Sequence, residues 1–150
     1  MIPSTVERVP KHTAAHVNEW IASETRARVA RYADASPAAI EARLEALDQE
    51  WDIERMLEAN AATAVMTGVL LGATVDRRWF LFPAVVGGFL LQHAIQGWCP
   101  PLLWFRRMGV RTQPEIDEEK YALKALRGDF RDVNGNGPRS ARLAIKAATA

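Results

Sequence analysis

The sequence predicts an all-α protein organised around a transmembrane helical hairpin with amphipathic helices on both sides. Two apolar runs without Asp, Glu, Lys or Arg, residues 59–75 and 80–98, are separated only by the short turn Asp-Arg-Arg-Trp. The sequence before and after them is rich in charge and repeats its apolar positions at helical spacing. The mean hydropathy of −0.13 averages these two kinds of sequence.

The lengths of the two runs favour a membrane over a soluble core. They contain 17 and 19 residues, and a helix that crosses a hydrocarbon layer of about 30 Å needs roughly 17–25. The alternative is a hairpin buried in a soluble helical bundle. Both runs are apolar nearly all round, and the amphipathic helices are too few to cover them. We therefore expect a membrane hairpin.

The charge distribution predicts the side of the membrane on which the termini lie. The turn carries Arg77 and Arg78. The flanks carry more arginine, at Arg43, Arg55, Arg106, Arg107 and Arg111. Because Lys and Arg are enriched in cytoplasmic segments, we expect a multi-pass protein whose termini and amphipathic helices are cytoplasmic.

The segment before the hairpin divides at residue 12. Residues 1–12 hold two prolines and no periodicity, which predicts a flexible N-terminus. Residues 13–58 form an amphipathic helical extension, in which Ser36 and Pro37 mark a helix start. Its second helix carries an apolar stripe of Ile40, Leu44, Leu47 and Trp51. Since no helix breaker follows, this helix is expected to continue into the first span.

The segment after the hairpin is expected to begin at the interface and end in a tail. Cys99-Pro100-Pro101 ends the second span, because paired prolines cannot continue a helix. Residues 99–130 then form an interfacial segment and a cytoplasmic helix with Gly128 as its C-cap. Residues 131–150 form a basic, flexible tail, whose end is expected to be either frayed helix or disorder.

Small residues recur at helical spacing in both spans and predict close helix packing. If the two spans pair outward from the turn, Gly72 lies near Pro83 and Gly68 near Gly87. The expected packing residues are Ala64, Gly68 and Gly72 in the first span and Ala84, Gly87 and Gly88 in the second.

Polar residues collect at the cytoplasmic end of the same hairpin. The same register places Thr63 opposite Gln92 and Asn60 opposite Gln96. One interpretation is an ion or solute path, and the other is a polar clamp between helices. Cys99 is either an accessible nucleophilic thiol or a small apolar filler. The candidate functional residues are therefore Asn60, Gln92, His93, Gln96 and Cys99.

The sequence lacks the patterns of an enzyme, so we expect a non-enzymatic protein without a cofactor. It has no glycine-rich phosphate loop, no nucleophile elbow and no acid pair of catalytic character. A single cysteine excludes an internal disulfide, and a net charge of +1 gives no drive toward nucleic acid. His12 and His16 have metal-pair spacing but no third ligand, and a metal or haem site at His93 is a third, weaker possibility.

Gly97-Trp98-Cys99-Pro100, following an apolar pair with internal glycines, resembles the YgaP-like inner-membrane domain family. That family consists of small bacterial two-span proteins of unknown function, some of them fused to a rhodanese sulfurtransferase domain. The resemblance implies a bacterial inner (plasma) membrane protein and directs attention to Cys99. This chain differs from the fused members because it has no rhodanese domain and no catalytic cysteine loop.

These observations lead to two expectations about function. The first is a membrane anchor or assembly component that acts through helix packing, with the lipid bilayer and either a second copy or another membrane protein as partners. The alternative is a carrier or conduit for a small sulfur species or anion, which would use Cys99 and the polar cluster.

Overall fold

The computed structural model describes residues 3–133, 135 and 137–149, and every regular element in these residues is helical, as predicted. The parts of the predicted flexible ends that fall on residues 1, 2, 134, 136 and 150 lie outside this description. The helices are α1 (Arg8–Lys11), α2 (Ala15–Arg31), α3 (Pro37–Asp48), α4 (Ile53–Thr74), a 3-10 helix (Arg77–Phe80), α5 (Leu81–Gln96), α6 (Pro100–Arg107), α7 (Gln113–Arg127) and α8 (Pro138–Thr149).

The chain folds as two compact units. The first contains residues up to 21 together with residues 51–113, and it includes the hairpin. The second contains residues 22–50 and the residues from 114 onward. Each has its own apolar core, so each is described separately.

The hairpin is formed by α4 and α5. Two helices, ending at Thr74 and Gln96, are long and apolar enough to cross a membrane by length and composition. Between them the Asp76 carboxylate accepts a hydrogen bond from the amide of Arg78 at 2.8 Å and begins the 3-10 helix. This side-chain cap lets the chain reverse within a few residues.

The predicted continuous helix into the first span is wrong. Helix α3 ends at Asp48, and α4 begins after Asp52, whose carboxylate caps the amide of Arg55 at 2.9 Å. Trp51 lies in the break and is 46% exposed, so it does not extend the buried stripe of α3. The Asp52 side chain is the sequence signal for this new helix start. The spacing of the apolar residues does not show the break.

The predicted register of the hairpin is also wrong, although two of its glycines are packed. A Cβ at Gly68 would lie 2.5 Å from Cδ of Pro83, and one at Gly72 would lie 2.8 Å from Cδ1 of Phe80. The partner of Gly68 is therefore Pro83, about one helical turn from the predicted Gly87. Phe80, at the end of the 3-10 helix, takes the place opposite Gly72 that the predicted register gave to Pro83. A Cβ at Gly87 would meet no atom within 4 Å.

The core of the first unit includes a segment that we predicted to be flexible. Val9 in α1 is buried together with Ile53, Leu57, Cys99 and Leu102. The packing of Val9 and the short helix α1 thus order this segment, although its sequence shows no periodicity. Distant segments of the chain supply the surface on which Val9 packs.

Gly97 makes this docking possible. Its φ of +81° is left-handed and ends α5, and a Cβ there would lie 2.5 Å from the backbone carbonyl carbon and oxygen of Arg8. Only glycine combines that conformation with so close a backbone approach. Cys99 then begins α6, and Pro100 and Pro101 stand in its first turn.

A buried arginine connects α6 to the start of α2. The Arg106 guanidinium donates to Thr13 Oγ1 at 3.2 Å, to Asn18 Oδ1 at 2.8 Å and to the carbonyl of Val110 at 3.0 Å. Nearby, the amide of Ile53 donates to the carbonyl of Arg111 at 2.8 Å. The Arg106 bonds hold α6 against the start of α2, and the Ile53 bond holds the entry of α4 against the segment that follows α6.

The second unit packs α3 against α7 around a buried carboxylate. Its core consists of Ile40, Leu44, Leu47, Ile116 and Leu123. The Glu119 side chain is fully buried and accepts bonds from Arg28 Nε at 3.0 Å and from Arg43 Nε at 2.9 Å. Two cations offset the cost of burying this charge.

Part of the predicted flexible tail is helix α8, which packs onto the second unit. Ala147 is buried, and the Lys124 ammonium donates to the carbonyl of Ala148 at 2.7 Å. Gly128 ends α7 with a φ of +92°, as predicted. Beyond it, a hydrogen bond from the Arg127 guanidinium holds the pKa of Asp129 below its usual value.

We expect Gly97→Ala to lower the stability of the first unit by more than about 1 kcal/mol, because alanine is strained at positive φ and meets the Arg8 backbone. Gly87→Ala is the matched control, since its Cβ would point into open space within a helix. Thermal unfolding of the two variants in the same detergent measures the difference. Equal unfolding temperatures would contradict this account of Gly97.

We expect Glu119→Gln to weaken the second unit by about 2 kcal/mol, since charge-assisted bonds from two arginines are lost. Hydrogen–deuterium exchange of the α7 amides provides the measurement. Glu118→Gln removes the neighbouring exposed carboxylate and should leave exchange unchanged. If both variants exchange alike, the buried charge contributes no stability.

Candidate functional site

A chain of polar contacts joins three distant parts of the first unit. His93 Nε2 and Glu54 Oε2 are 3.0 Å apart, and Arg8 Nη2 donates to Glu54 Oε1 at 2.8 Å. The His93 ring is almost fully buried, and the Arg8 and Glu54 side chains are partly exposed. The carboxylate therefore bridges an imidazole and a guanidinium.

The helices bring these groups together through the antiparallel hairpin. Glu54 lies in the first turn of α4 and His93 in the last turn of α5, so the two lie at the same end of the hairpin. Arg8 reaches this end from α1 and also donates to the carbonyls of His93 and Ala94 at 2.9 and 3.3 Å. The Arg8 guanidinium thus provides hydrogen-bond donors for the last carbonyls of α5. Its positive charge also interacts favourably with the negative end of the helix dipole.

Cys99 lies beside this chain of contacts. It is buried in the core of the first unit with Ile53, Leu57 and Leu102, and only 4% of the residue is exposed. His93 Nδ1, the ring nitrogen that Glu54 leaves free, is buried and has no hydrogen-bond partner in the described part of the chain. The imidazole and the carboxylate are thus adjacent, and the second ring nitrogen is left without a partner among the described residues.

Two cavities adjoin these residues. One of about 260 Å³ is lined by Arg8, Glu54, His93 and their neighbours. The other, which we call the apolar groove, has a volume of about 310 Å³ between α4, α5 and the start of α6. Its lining is mainly aliphatic and aromatic, and it includes Cys99 and Asn60.

The other predicted polar residues are not joined to His93. Asn60 and Gln96 are exposed and Gln92 is half-buried, and in the residues that the structure describes none of these amides makes a side-chain hydrogen bond. The Thr63 hydroxyl donates to the carbonyl of Ala59 at 2.7 Å and not to Gln92. Of the five candidates, Asn60 and Cys99 line the same groove, and His93 pairs with Glu54.

Sequence reasoning missed Arg8 and Glu54. Arg8 lies in a segment that we predicted to be flexible, and Glu54 is one of many acids in an amphipathic region. A buried histidine in an otherwise apolar helix demands a polar partner, so His93 was a signal for a nearby acid. The sequence offered several candidates at that distance from the turn.

Metal ligation is not supported by the described residues. They contain no group of three His, Cys, Asp or Glu side chains placed to hold an ion, and no third ligand joins His12 and His16 there.

Comparisons with known proteins provide no relative whose residues could be compared with this site. No protein-family model matches the chain, and no curated protein and no solved structure does so either.

We expect Arg8→Met to release α1 from the end of the hairpin. Each charge-assisted bond contributes about 1.5–3 kcal/mol, so amide exchange at Lys11 and His12 should accelerate at least about tenfold. Lys11→Met is the matched control, since the ion pair of Lys11 among the described residues is with exposed Glu7, the residue just before the same helix. If both substitutions leave α1 equally protected, Arg8 does not hold it.

Proposed function

We propose that the chain is a non-enzymatic membrane protein whose hairpin anchors two helical units at a bilayer. The observation that carries this proposal is the exposure of the second span. Only 6% of its most apolar 18-residue window is buried, and only 22% of that of the first span. A core helix of a soluble protein is mostly buried, so an apolar helix that is left open needs lipid or a partner.

The polar groups of α4 support the same proposal. The hydroxyls of Thr63, Thr67 and Thr74 each donate to the carbonyl four residues earlier, at 2.7–2.8 Å. All three side chains lie on exposed positions. In a hydrocarbon layer a polar group must find its partner within the protein, and these hydroxyls find it within their own helix.

The location that we propose is the inner (plasma) membrane of a bacterium, with both termini in the cytoplasm. The arginines of the flanks outnumber Arg77 and Arg78 of the turn, which supports this orientation. The resemblance of the Gly97–Pro100 motif to the YgaP-like inner-membrane domain family supports the bacterial inner membrane.

The partner that we propose is a second copy or another membrane protein, which packs on the open face of α5. Gly87 and Gly88 are exposed there, and added Cβ atoms would meet nothing within 4 Å. Small residues permit close helix approach in lipid, where apolar surface alone gives no drive to associate.

We expect Leu91→Lys to reduce membrane insertion, because a lysine near the centre of a span costs about 2.5–3.5 kcal/mol. Leu91 is 62% exposed, so the same change on a soluble protein would be harmless. Trp104→Lys in α6, an even more exposed position outside the spans, is the control. Alkaline carbonate extraction of membranes is the measurement, and full retention of Leu91→Lys would contradict the proposal.

We expect a discrete dimer or partner band when the open face of α5 is crosslinked in native membranes. Gly88→Cys in a Cys99→Ser background should form it readily on mild oxidation. Leu90→Cys, about 200° away around the helix, should form it far less. A monomer with both variants at every expression level would count against packing through this face.

A further inference from the structure

Helix α8 carries a basic face that points away from the unit on which the helix packs. Arg139, Arg142 and Lys146 are spaced by three and four residues, so they lie on one side of the helix. All three residues are exposed, whereas Ala147 on the packed side is buried. The packing on the second unit therefore fixes which side of α8 faces outward.

The three cations of α8 differ from paired cations elsewhere in the second unit. In the part of the chain that the structure describes, none of their side chains forms a hydrogen bond or an ion pair. Residues 133–150 contain these three cations and no Asp or Glu. Four cations of α2, α3 and α7 have carboxylate partners, namely Arg28 and Arg43 with Glu119, Lys120 with Asp48, and Arg127 with Asp129. The face of α8 is therefore complementary in charge to an anionic surface.

An exposed aliphatic side chain lies within the same face. Ile145 comes three residues after Arg142 and directly before Lys146, and it is 65% exposed. Cations around an outward aliphatic side chain suit an anionic bilayer, because the charges meet headgroup phosphates while the aliphatic group enters the layer beneath. The phosphates of a nucleic acid would attract the cations but offer Ile145 no hydrocarbon layer. The combination favours anionic lipid.

We propose that the exposed face of α8 binds the anionic headgroups of the bilayer in which the hairpin lies. This goes beyond anchoring by the spans, and it rests on the proposed membrane location. Each Lys or Arg near an anionic surface strengthens binding roughly fivefold, so three contribute about 100-fold. That gain is small for a free helix. It is sufficient for a helix that a membrane anchor in the same chain keeps near the surface.

Amide hydrogen exchange of the full wild-type chain tests this proposal. The chain is placed in nanodiscs of phosphatidylcholine alone or of equal parts phosphatidylcholine and phosphatidylglycerol. We expect exchange in residues 141–149 to slow at least about fivefold in the anionic discs. The slowing should disappear in 1 M salt, where the screening length falls to about 3 Å. Equal exchange of α8 in the two kinds of disc would overturn the proposal, and this comparison needs no variant.

Charge reversal at two matched positions tests whether the face of α8 is responsible. Arg142→Glu replaces the cation in the middle of the outward side and should remove most of the slowing. Arg31→Glu is the control, because Arg31 is exposed on α2 in the same unit and also has no ion pair among the described residues. It changes the net charge equally and should keep the slowing. If the two variants behave alike, net charge causes the effect and the assignment to α8 is wrong.

A soluble polyanion separates lipid binding from nucleic-acid binding. Polyuridylic acid is added to the wild-type chain in discs of phosphatidylcholine alone, so that it supplies phosphate without anionic lipid. We expect exchange in residues 141–149 to remain as fast as without the polymer. Slowing as large as that in the anionic discs would overturn the choice of lipid as the partner.

Alkaline carbonate extraction of the same chain reports separately on the spans. If the hairpin resists extraction but α8 exchanges equally in both kinds of disc, this inference fails and the membrane proposal stands. If the hairpin is extracted but phosphatidylglycerol vesicles still slow the exchange of α8 in a salt-sensitive way, the membrane proposal fails and lipid binding by α8 is supported. The two proposals can therefore fail independently.

Discussion

The first unit depends on the pairing of one carboxylate. Glu54 lies at the entry of an apolar helix, where a charge must have partners to be tolerated. It obtains them from His93, which closes the end of the hairpin, and from Arg8, which brings α1 against that end. Arg8 also donates hydrogen bonds to the last carbonyls of α5. One guanidinium therefore pairs with the Glu54 carboxylate and also stabilises the C-terminus of the helix. Gly97 permits the close approach that this geometry requires.

The two ends of the hairpin therefore have different physical characters. At the turn, Gly68 and Gly72 admit the rings of Pro83 and Phe80, so the helices meet through van der Waals contact. At the open end, α1 and α6 cover the helices, and ion pairs and buried side chains replace apolar exposure. Cys99 lies at that covered end and is packed in the apolar core of the first unit.

The second unit uses the same principle among amphipathic helices. Glu119 is fully buried and is held by Arg28 and Arg43, which converge on it from separate helices. Around it the stripe Ile40, Leu44 and Leu47 meets α7, as its spacing predicts for a helix that packs on another helix. A paired carboxylate thus joins separate helices in each unit, partly exposed at Glu54 and fully buried at Glu119.

Sequence alone determined the elements that depend on local or periodic signals. These are the all-helical class, the two apolar helices, the helix start at Ser36-Pro37 and the end at Gly128, because apolar length, capping and left-handed glycine are properties of neighbouring residues. It also singled out His93 and Cys99 as polar groups next to an apolar run. Tertiary structure decided the rest: the break at Asp52, the register of Gly68 on Pro83, the order of α1 and α8, and the choice of Glu54 and Arg8 as partners of His93. Each of these features depends on which distant surfaces of the chain meet, and the spacing of residues along the sequence does not specify those contacts. For His93, for example, the sequence contains several acids and arginines that could be its partners.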